Sequence, residues 1–341
     1  MRSKKTILVT GGCGFIGTNL IDYLLSKKFK VINLDKLSNT SNLKHQLNRK
    51  VIFIKNDLLK EKKLFSILKK FKPDGVIHLA AETHVDRSID DSGDFIKSNI
   101  IGTYNLLKSS QKYFKIFKPK FKFIIMGTDE IFGDLPLKSK NGFSETATIK
   151  PNNPYSASKA SAIHLARAWY KTYNLPIIQI NCSNNFGPFQ YFEKLLPTII
   201  FKILNNKFVG IYGDGKNERD WIYVGDHVRA IYKILLKGKI GETYNVGGEK
   251  SFSNLRFVNL VYLVLEDILG KKIKKQISLI KDRPGHDKKY LINASKIKRL
   301  GWKKKYEIFF ALKKTIKWYL KKENLNYFKI KKYKFSRLGL K

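Results

Sequence analysis

Tyr155-Ser156-Ala157-Ser158-Lys159 places a phenol and an ammonium four residues apart. In a helix that spacing brings both side chains to one face. A neighbouring cation lowers a phenol's pKa, which would let Tyr155 act as a base toward a substrate hydroxyl. Tyr-x-x-x-Lys also arises by chance on exposed helices, so the pair takes its meaning from what surrounds it. Ahead of it, Thr128-Asp129-Glu130 follows the apolar run Phe121–Gly127. That position is a strand's carboxyl end, where ligands bind in open α/β sheets. Taken alone, the triplet also reads as an exposed acidic turn.

The segment Thr10-Gly11-Gly12-Cys13-Gly14-Phe15-Ile16-Gly17 supplies a second kind of chemistry. Gly11, Gly14 and Gly17 are spaced so that the backbone turns sharply and comes close to a pyrophosphate. The helix that follows offers free N–H groups and a positive dipole end to that diphosphate. Asp35 ends the next apolar run. A carboxylate there accepts hydrogen bonds from a ribose 2′-hydroxyl and repels a 2′-phosphate, so NAD is expected over NADP, with Lys36 as the opposing charge. Asp57 fits two roles equally, an acceptor for the adenine amino group or a turn and cap residue.

Strand and helix patterns alternate through the first half of the chain. Thr6–Thr10, Val31–Asp35, Val51–Lys55, Gly75–Ala80, Phe121–Gly127 and Pro176–Ser183 read as buried strands. Phe15–Ser26, Lys60–Lys70, Ser92–Tyr113 and Tyr155–Tyr173 read as helices. The alternation predicts an α/β protein built on a doubly wound, Rossmann-type parallel sheet. Past Gly187-Pro188 the elements shorten, which predicts a smaller C-terminal substrate domain. The expected division is a dinucleotide-binding domain over 1–185 that carries the catalytic residues, then 186–320, parts of which return to the first sheet, then a basic tail over 321–341.

Lys and Arg total 67 against 27 Asp and Glu, a net charge of +40. The lysine doublets run along the whole chain rather than along one element, and no RNA-recognition or helix-turn-helix signature accompanies them, so nucleic acid is not the expected partner. The tail is the densest basic stretch. Two cysteines, Cys13 and Cys182, cannot build a disulfide framework, and the six histidines show no metal-ligand spacing. The first nine residues resemble a secretory leader, but the apolar run breaks at Gly11-Gly12 with no small-x-small cleavage site. A cytoplasmic protein without membrane insertion is expected.

Gly11-Gly-x-Gly-Phe-Ile-Gly17, Thr128 and Tyr155-x-x-x-Lys159 together resemble the extended short-chain dehydrogenase/reductase family, which acts on nucleotide sugars. Within it the nucleotide-sugar 4,6-dehydratases are similar in more specific runs: Ala80–Ser88, Thr128–Glu130, Asn184–Gln190, Glu193–Pro197, Arg219–Val224 and Asp282–Asp287. The resemblance spans about residues 5–320. It implies Thr128, Tyr155 and Lys159 for oxidation of a sugar hydroxyl, Asp129 as acid and Glu130 as base. For NAD it implies Phe15, Ile16, Lys36, Ser38, Leu58, Leu79, Ala80, Ala81, Thr83, Ser98, Tyr155, Lys159 and Asn185. For the nucleotide sugar it implies Thr83, Thr128, Asn184, Lys194, Leu195, Tyr212, Arg219, Asn254, Asp282, Arg283 and His286. The substrate implied is dTDP-glucose, and the assembly implied is a homodimer. Gly127 stands where the family usually carries Ser. The alternatives are a dehydratase or epimerase of a UDP-, CDP- or GDP-sugar, and an inactive dinucleotide fold that holds nucleic acid through its basic surface.

Overall fold

A computed structural model describes residues 5–46, 48–117 and 120–328. Of the expected tail, Lys329–Lys341 lie outside the described residues. Twelve strands follow in chain order: β1 Thr6–Thr10, β2 Lys30–Asp35, β3 Val51–Lys55, β4 Gly75–His78, β5 Lys122–Met126, β6 Ile177–Cys182, β7 Asn184–Phe186, β8 Val209–Tyr212, β9 Glu218–Tyr223, β10 Thr243–Val246, β11 Ser251–Ser253 and β12 Ile277–Ile280. The main sheet runs β10-β6-β5-β4-β1-β2-β3, and every pairing in it is parallel. Strand order reverses between β1 and β4, so the crevice for a dinucleotide opens at their carboxyl ends. Buried apolar residues cover both faces of this sheet. One cluster includes Val9, Leu20, Ile124 and Ile180, and the other Leu8, Ile32, Phe123 and Leu107.

The helix Pro154–Tyr173, which carries Tyr155 and Lys159, is fixed at both ends by local chemistry. Asn153 caps it by accepting the Ser156 N–H, Ser156 returns a bond to the cap backbone, Pro154 occupies the first turn, and Asn174 closes it in the left-handed conformation. The helix expected over Ser92–Tyr113 is not continuous. A short turn, Gly93–Phe95, passes into a π-helical stretch, Ile96–Ile101, before the α-helix Gly102–Phe117. Asn99 lies inside that stretch. Its Oδ1 accepts the Glu82 N–H at 2.8 Å, and its Nδ2 donates to the Glu82 carbonyl at 3.0 Å and to Ser158 Oγ at 2.8 Å. Locally widened helices of this kind cluster at functional sites.

The chain after residue 186 is divided between two places. β10 joins the main sheet beside β6, and the helix Val224–Lys237 packs on Phe15–Ser26. Trp302 is buried in the same core cluster as Val9. The remainder forms a second core that includes Leu196, Ile199, Phe257, Val261, Leu312 and Ile316. It supports a three-stranded sheet, β11-β9-β7, and a two-stranded one, β12-β8. Asn184 and Asn185 of β7 and the last residues of β8 and β12, Tyr212 and Ile280, line one cavity together with Glu130, which follows β5. Among the described residues no helix is long and apolar enough to cross a membrane.

Candidate active site

β5 delivers Thr128, Asp129 and Glu130 to the crevice. Thr128 and Asp129 are buried, the former donating to Asp129 Oδ1 at 3.2 Å. Asp129 Oδ2 and Glu130 Oε2 are both buried without a hydrogen-bond partner. Burial, with the adjacent Glu130 and then Asp220, pushes the Asp129 carboxyl well above the carboxylate range. The shift favours the protonated form, the one an acid needs. Burial also raises Glu130, against the pull of Arg283, Arg219 and Lys194. Three cations act on Glu130, whereas on Asp129 Arg219 is opposed by the charges of Glu130 and Asp220, which gives the two acids different roles.

Tyr155 and Lys159 are buried behind this pair. The Tyr155 N–H, one of the orphan donors of the helix's first turn, is accepted by Ser88 Oγ at 3.1 Å. Burial and then the charge of Glu130 raise the phenol well above its usual value, opposed by a hydrogen bond with Thr128. Lys159 is lowered to about 8 by burial, and its Nζ donates to the Met126 carbonyl at 2.6 Å. The two side chains share the face that their spacing implies, with the ammonium tied to β5. In the protein alone the phenol keeps its proton. Its activation needs a further positive charge beside it.

Two cavities adjoin one another, with Thr83, His84 and Glu193 in both walls, and Glu130 reaches the second. The first is bordered by Gly11, Gly14, Asp35, Lys36, Ser38, Asp57, Leu58, Leu79, Ala80, Ala81, Thr83 and Ser98. Its geometry fits a dinucleotide. Gly11 has φ +69°, and a Cβ there would lie 2.7 Å from the Ala80 backbone. A Cβ on Gly17 would lie 2.2 Å from the Gly11 carbonyl oxygen. Gly14 caps Phe15–Ser26 with no side-chain bond, which leaves the helix terminus open to an anion. Asp35 accepts the Cys13 and Leu37 N–H groups at 2.9 and 2.8 Å. Lys36 Nζ is bound to Glu82 at 2.8 Å and to Ser98 Oγ at 3.2 Å. That ion pair occupies the cation that would otherwise welcome a 2′-phosphate. Asp57 borders the cavity and also accepts the Leu59 N–H at 2.9 Å, so it fills the turn role in the same place.

The second cavity, of about 320 Å³, is bordered by Thr83, Glu130, Asn184, Asn185, Lys194, Leu195, Tyr212, Arg219, Asn254, Arg283 and His286. Its size suits a small ligand, and its cations suit an anionic one. Asn185, expected at the dinucleotide, borders this cavity. Asp282 is outside its wall, where the carboxylate accepts from His286 Nδ1 at 2.6 Å. Phe15 and Ile16 pack against the main core, and Gly17 is buried beneath Gly11. Thr128, Tyr155 and Lys159 are behind the two cavities rather than on their walls.

Two features escape sequence reasoning. Glu193 borders both cavities and pairs with Arg87 at 2.7 Å. Tyr290 is in the second cavity's wall, bonded to Asp287, with the Arg219 guanidinium 4.3 Å from its ring centroid. The lone signal for Glu193 is its place in the Glu193–Pro197 run, and Tyr290 has none. Among the described residues no group of three or more His, Cys, Asp or Glu is placed to hold a metal.

A family model described as GDP-mannose 4,6 dehydratase matches residues 8–315. The chain is 42% identical to a dTDP-glucose 4,6-dehydratase of Neisseria gonorrhoeae, over 93% of this chain and 96% of that one. It is similar to the crystal structure of a dTDP-glucose 4,6-dehydratase from Bacillus anthracis in complex with NAD. That structure is 40% identical with TM-score 0.83, over 94% of this chain and 97% of that one. A dTDP-glucose 4,6-dehydratase from Streptomyces venezuelae with NAD bound is 32% identical with TM-score 0.85, over 95% and 99%.

Proposed function

Since the chain belongs to the GDP-mannose 4,6-dehydratase family of extended short-chain dehydrogenases/reductases, we propose that it is an NAD-dependent enzyme converting dTDP-glucose into a 4-keto-6-deoxy sugar nucleotide. The observation that carries this reading is the pairing of buried Asp129 with half-buried Glu130 directly after Thr128, each carboxyl group with one buried oxygen that has no partner. A 4-epimerase needs the oxidation machinery without an acid and base held side by side. The nucleic-acid reading gains no support from a site this complete.

NAD, when bound in the first cavity, supplies a two-electron acceptor that takes hydride from C4 of the hexose and gives it back at C6. The residues do the rest. Tyr155, once its phenol is ionised by the positive charge that the bound cofactor would bring beside it, accepts the proton of the C4 hydroxyl, assisted by the Thr128 hydroxyl and by the charge of Lys159. The resulting ketone acidifies C5. Glu130 removes the C5 proton, and its three neighbouring cations favour the ionised form it needs. Asp129, kept protonated, gives its proton to the departing C6 hydroxyl, so one water leaves. Glu130 then returns a proton to C5. Lys194, Arg219 and Arg283 neutralise the diphosphate.

The assembly we propose is a homodimer through the helices Gly102–Phe117 and Pro154–Tyr173, which together expose Tyr104, Ile116, Ala157 and Ala168. A cytoplasmic setting accords with two free, buried cysteines. The test is a product mass spectrum from dTDP-glucose together with two variants. Loss of one water is expected from the wild type. Glu130→Gln and Asp129→Asn should each retain NAD and the sugar nucleotide but lose roughly 10²–10⁴-fold in dehydration. Near-normal turnover in either variant removes the role assigned to that residue.

A further inference from the structure

The short helix Val85–Asp90 and the loop before it reach across to the part of the chain after residue 186 through three residues, Thr83, Asp86 and Arg87. Thr83 accepts from Lys194 Nζ through its carbonyl at 2.8 Å and its hydroxyl at 3.2 Å. Arg87 pairs with Glu193. Between them Asp86, 5% exposed, uses both carboxylate oxygens. Oδ2 accepts from the Tyr212 hydroxyl at 2.6 Å, and Oδ1 from Arg283 Nη1 at 3.2 Å. Tyr212 ends β8 and Arg283 follows β12, the two strands of the small parallel sheet. One carboxylate of the dinucleotide-binding part thus gathers the carboxyl ends of both strands of the part facing it.

Tyr212 and Arg283 both border the second cavity. Arg283 is not exhausted by the contact, because its Nε is buried without a partner. An unbonded N–H of a guanidinium in a buried wall is costly unless an anion takes it up. Asp86 fixes the end of the fork at Nη1 and leaves Nε for a ligand. Resting on the functional reading above, we propose that Asp86 is a positioning residue for the substrate's diphosphate. It sets the orientation of Arg283 and Tyr212 and holds the two halves of the cavity in register. Asp86 also borders this cavity, but both its carboxylate oxygens are engaged by Tyr212 and Arg283, so it acts through those two side chains rather than on the anion.

A residue that aligns the binding wall changes affinity more than the chemical step. In the holoenzyme, Asp86→Asn should raise the Kd of dTDP, measured by calorimetry, and the KM for dTDP-glucose by about tenfold each, the size of one charge-assisted bond. kcat should stay within about threefold, and NAD content and Tm close to wild type. Tyr212→Phe removes just the hydroxyl that Asp86 holds and should act in the same direction to a smaller extent. The Asp86→Asn/Tyr212→Phe double variant should cost less than the product of the single effects.

If Asp86→Asn does not fold, Tyr212→Phe decides: a raised Kd for dTDP supports the proposal and an unchanged one overturns it. An Asp86→Asn enzyme with wild-type Kd and KM also overturns it, as does one that loses kcat at unchanged KM. Those results leave dehydration by the wild type intact and so touch this proposal alone. A wild type that binds no dTDP overturns the functional reading, and this proposal with it.

Discussion

Asp220 offers a test of the site's electrostatics that needs no substrate. It is fully buried on β9, accepts the Gly248 N–H at 2.8 Å, and would meet a Cβ on Gly247 at 2.3 Å from its Oδ2. Burial lifts its carboxyl from 3.8 to about 7, against the Gly248 bond and reinforced by Glu249. A folded pKa above the unfolded one means that this stabilisation is whole below pH 3.8 and is lost as pH rises toward 7. Over about 3 units, at about 1.4 kcal/mol each, the loss is on the order of 4 kcal/mol. Asn keeps an acceptor for Gly248 and carries no charge to lose. Asp220→Asn should therefore gain on the wild type between pH 5 and pH 7.5 by on the order of 5 °C in Tm, then hold level. Scanning fluorimetry at half-unit pH steps measures this. Because the Asp220 charge also raises Asp129, the alkaline limb of the variant's rate profile should move to lower pH. A Tm difference that is the same at pH 5 and pH 8 refutes the argument.

Two further substitutions probe the frame around the centre. Gly11→Ala forces a Cβ to 2.7 Å from the Ala80 backbone at φ +69°, so it should abolish NAD retention and destabilise by about 2 kcal/mol or more. Dialysis followed by absorbance for NAD, with a thermal scan, checks both. Asn99→Ala deletes the bonds to both Glu82 backbone groups and to Ser158. It should cost about 2–3 kcal/mol by leaving buried groups unpaired and weaken NAD more than dTDP. Equal loss for both ligands would count against a role centred on the dinucleotide loop.

Much of the frame was legible because it is local. Thr6–Thr10 and Phe15–Ser26 have the bounds read from their apolar pattern, and the glycine spacing locates the crevice between them. What escaped is set by contacts between distant residues. A return of part of 186–320 to the first sheet was expected, but that Thr243–Val246 is the strand that makes it cannot be seen in four residues that carry no long apolar run. The break at Ile96–Ile101 depends on Asn99 finding Glu82 and Ser158, partners on other elements. The sign of Lys36 in the choice of dinucleotide turned on Glu82, 46 positions away. Asp86 lies within the Ala80–Ser88 run, but its role depends on Tyr212 and Arg283, which only folding brings to it.

The account stands on one transfer of hydrogen within a single sugar. Deuterium placed at C4 of dTDP-glucose should be found, by NMR of the product, at C6 of a 4-ketosugar that has lost one water. Deuterium that stays at C4, in a sugar that keeps all its hydroxyls, would contradict it.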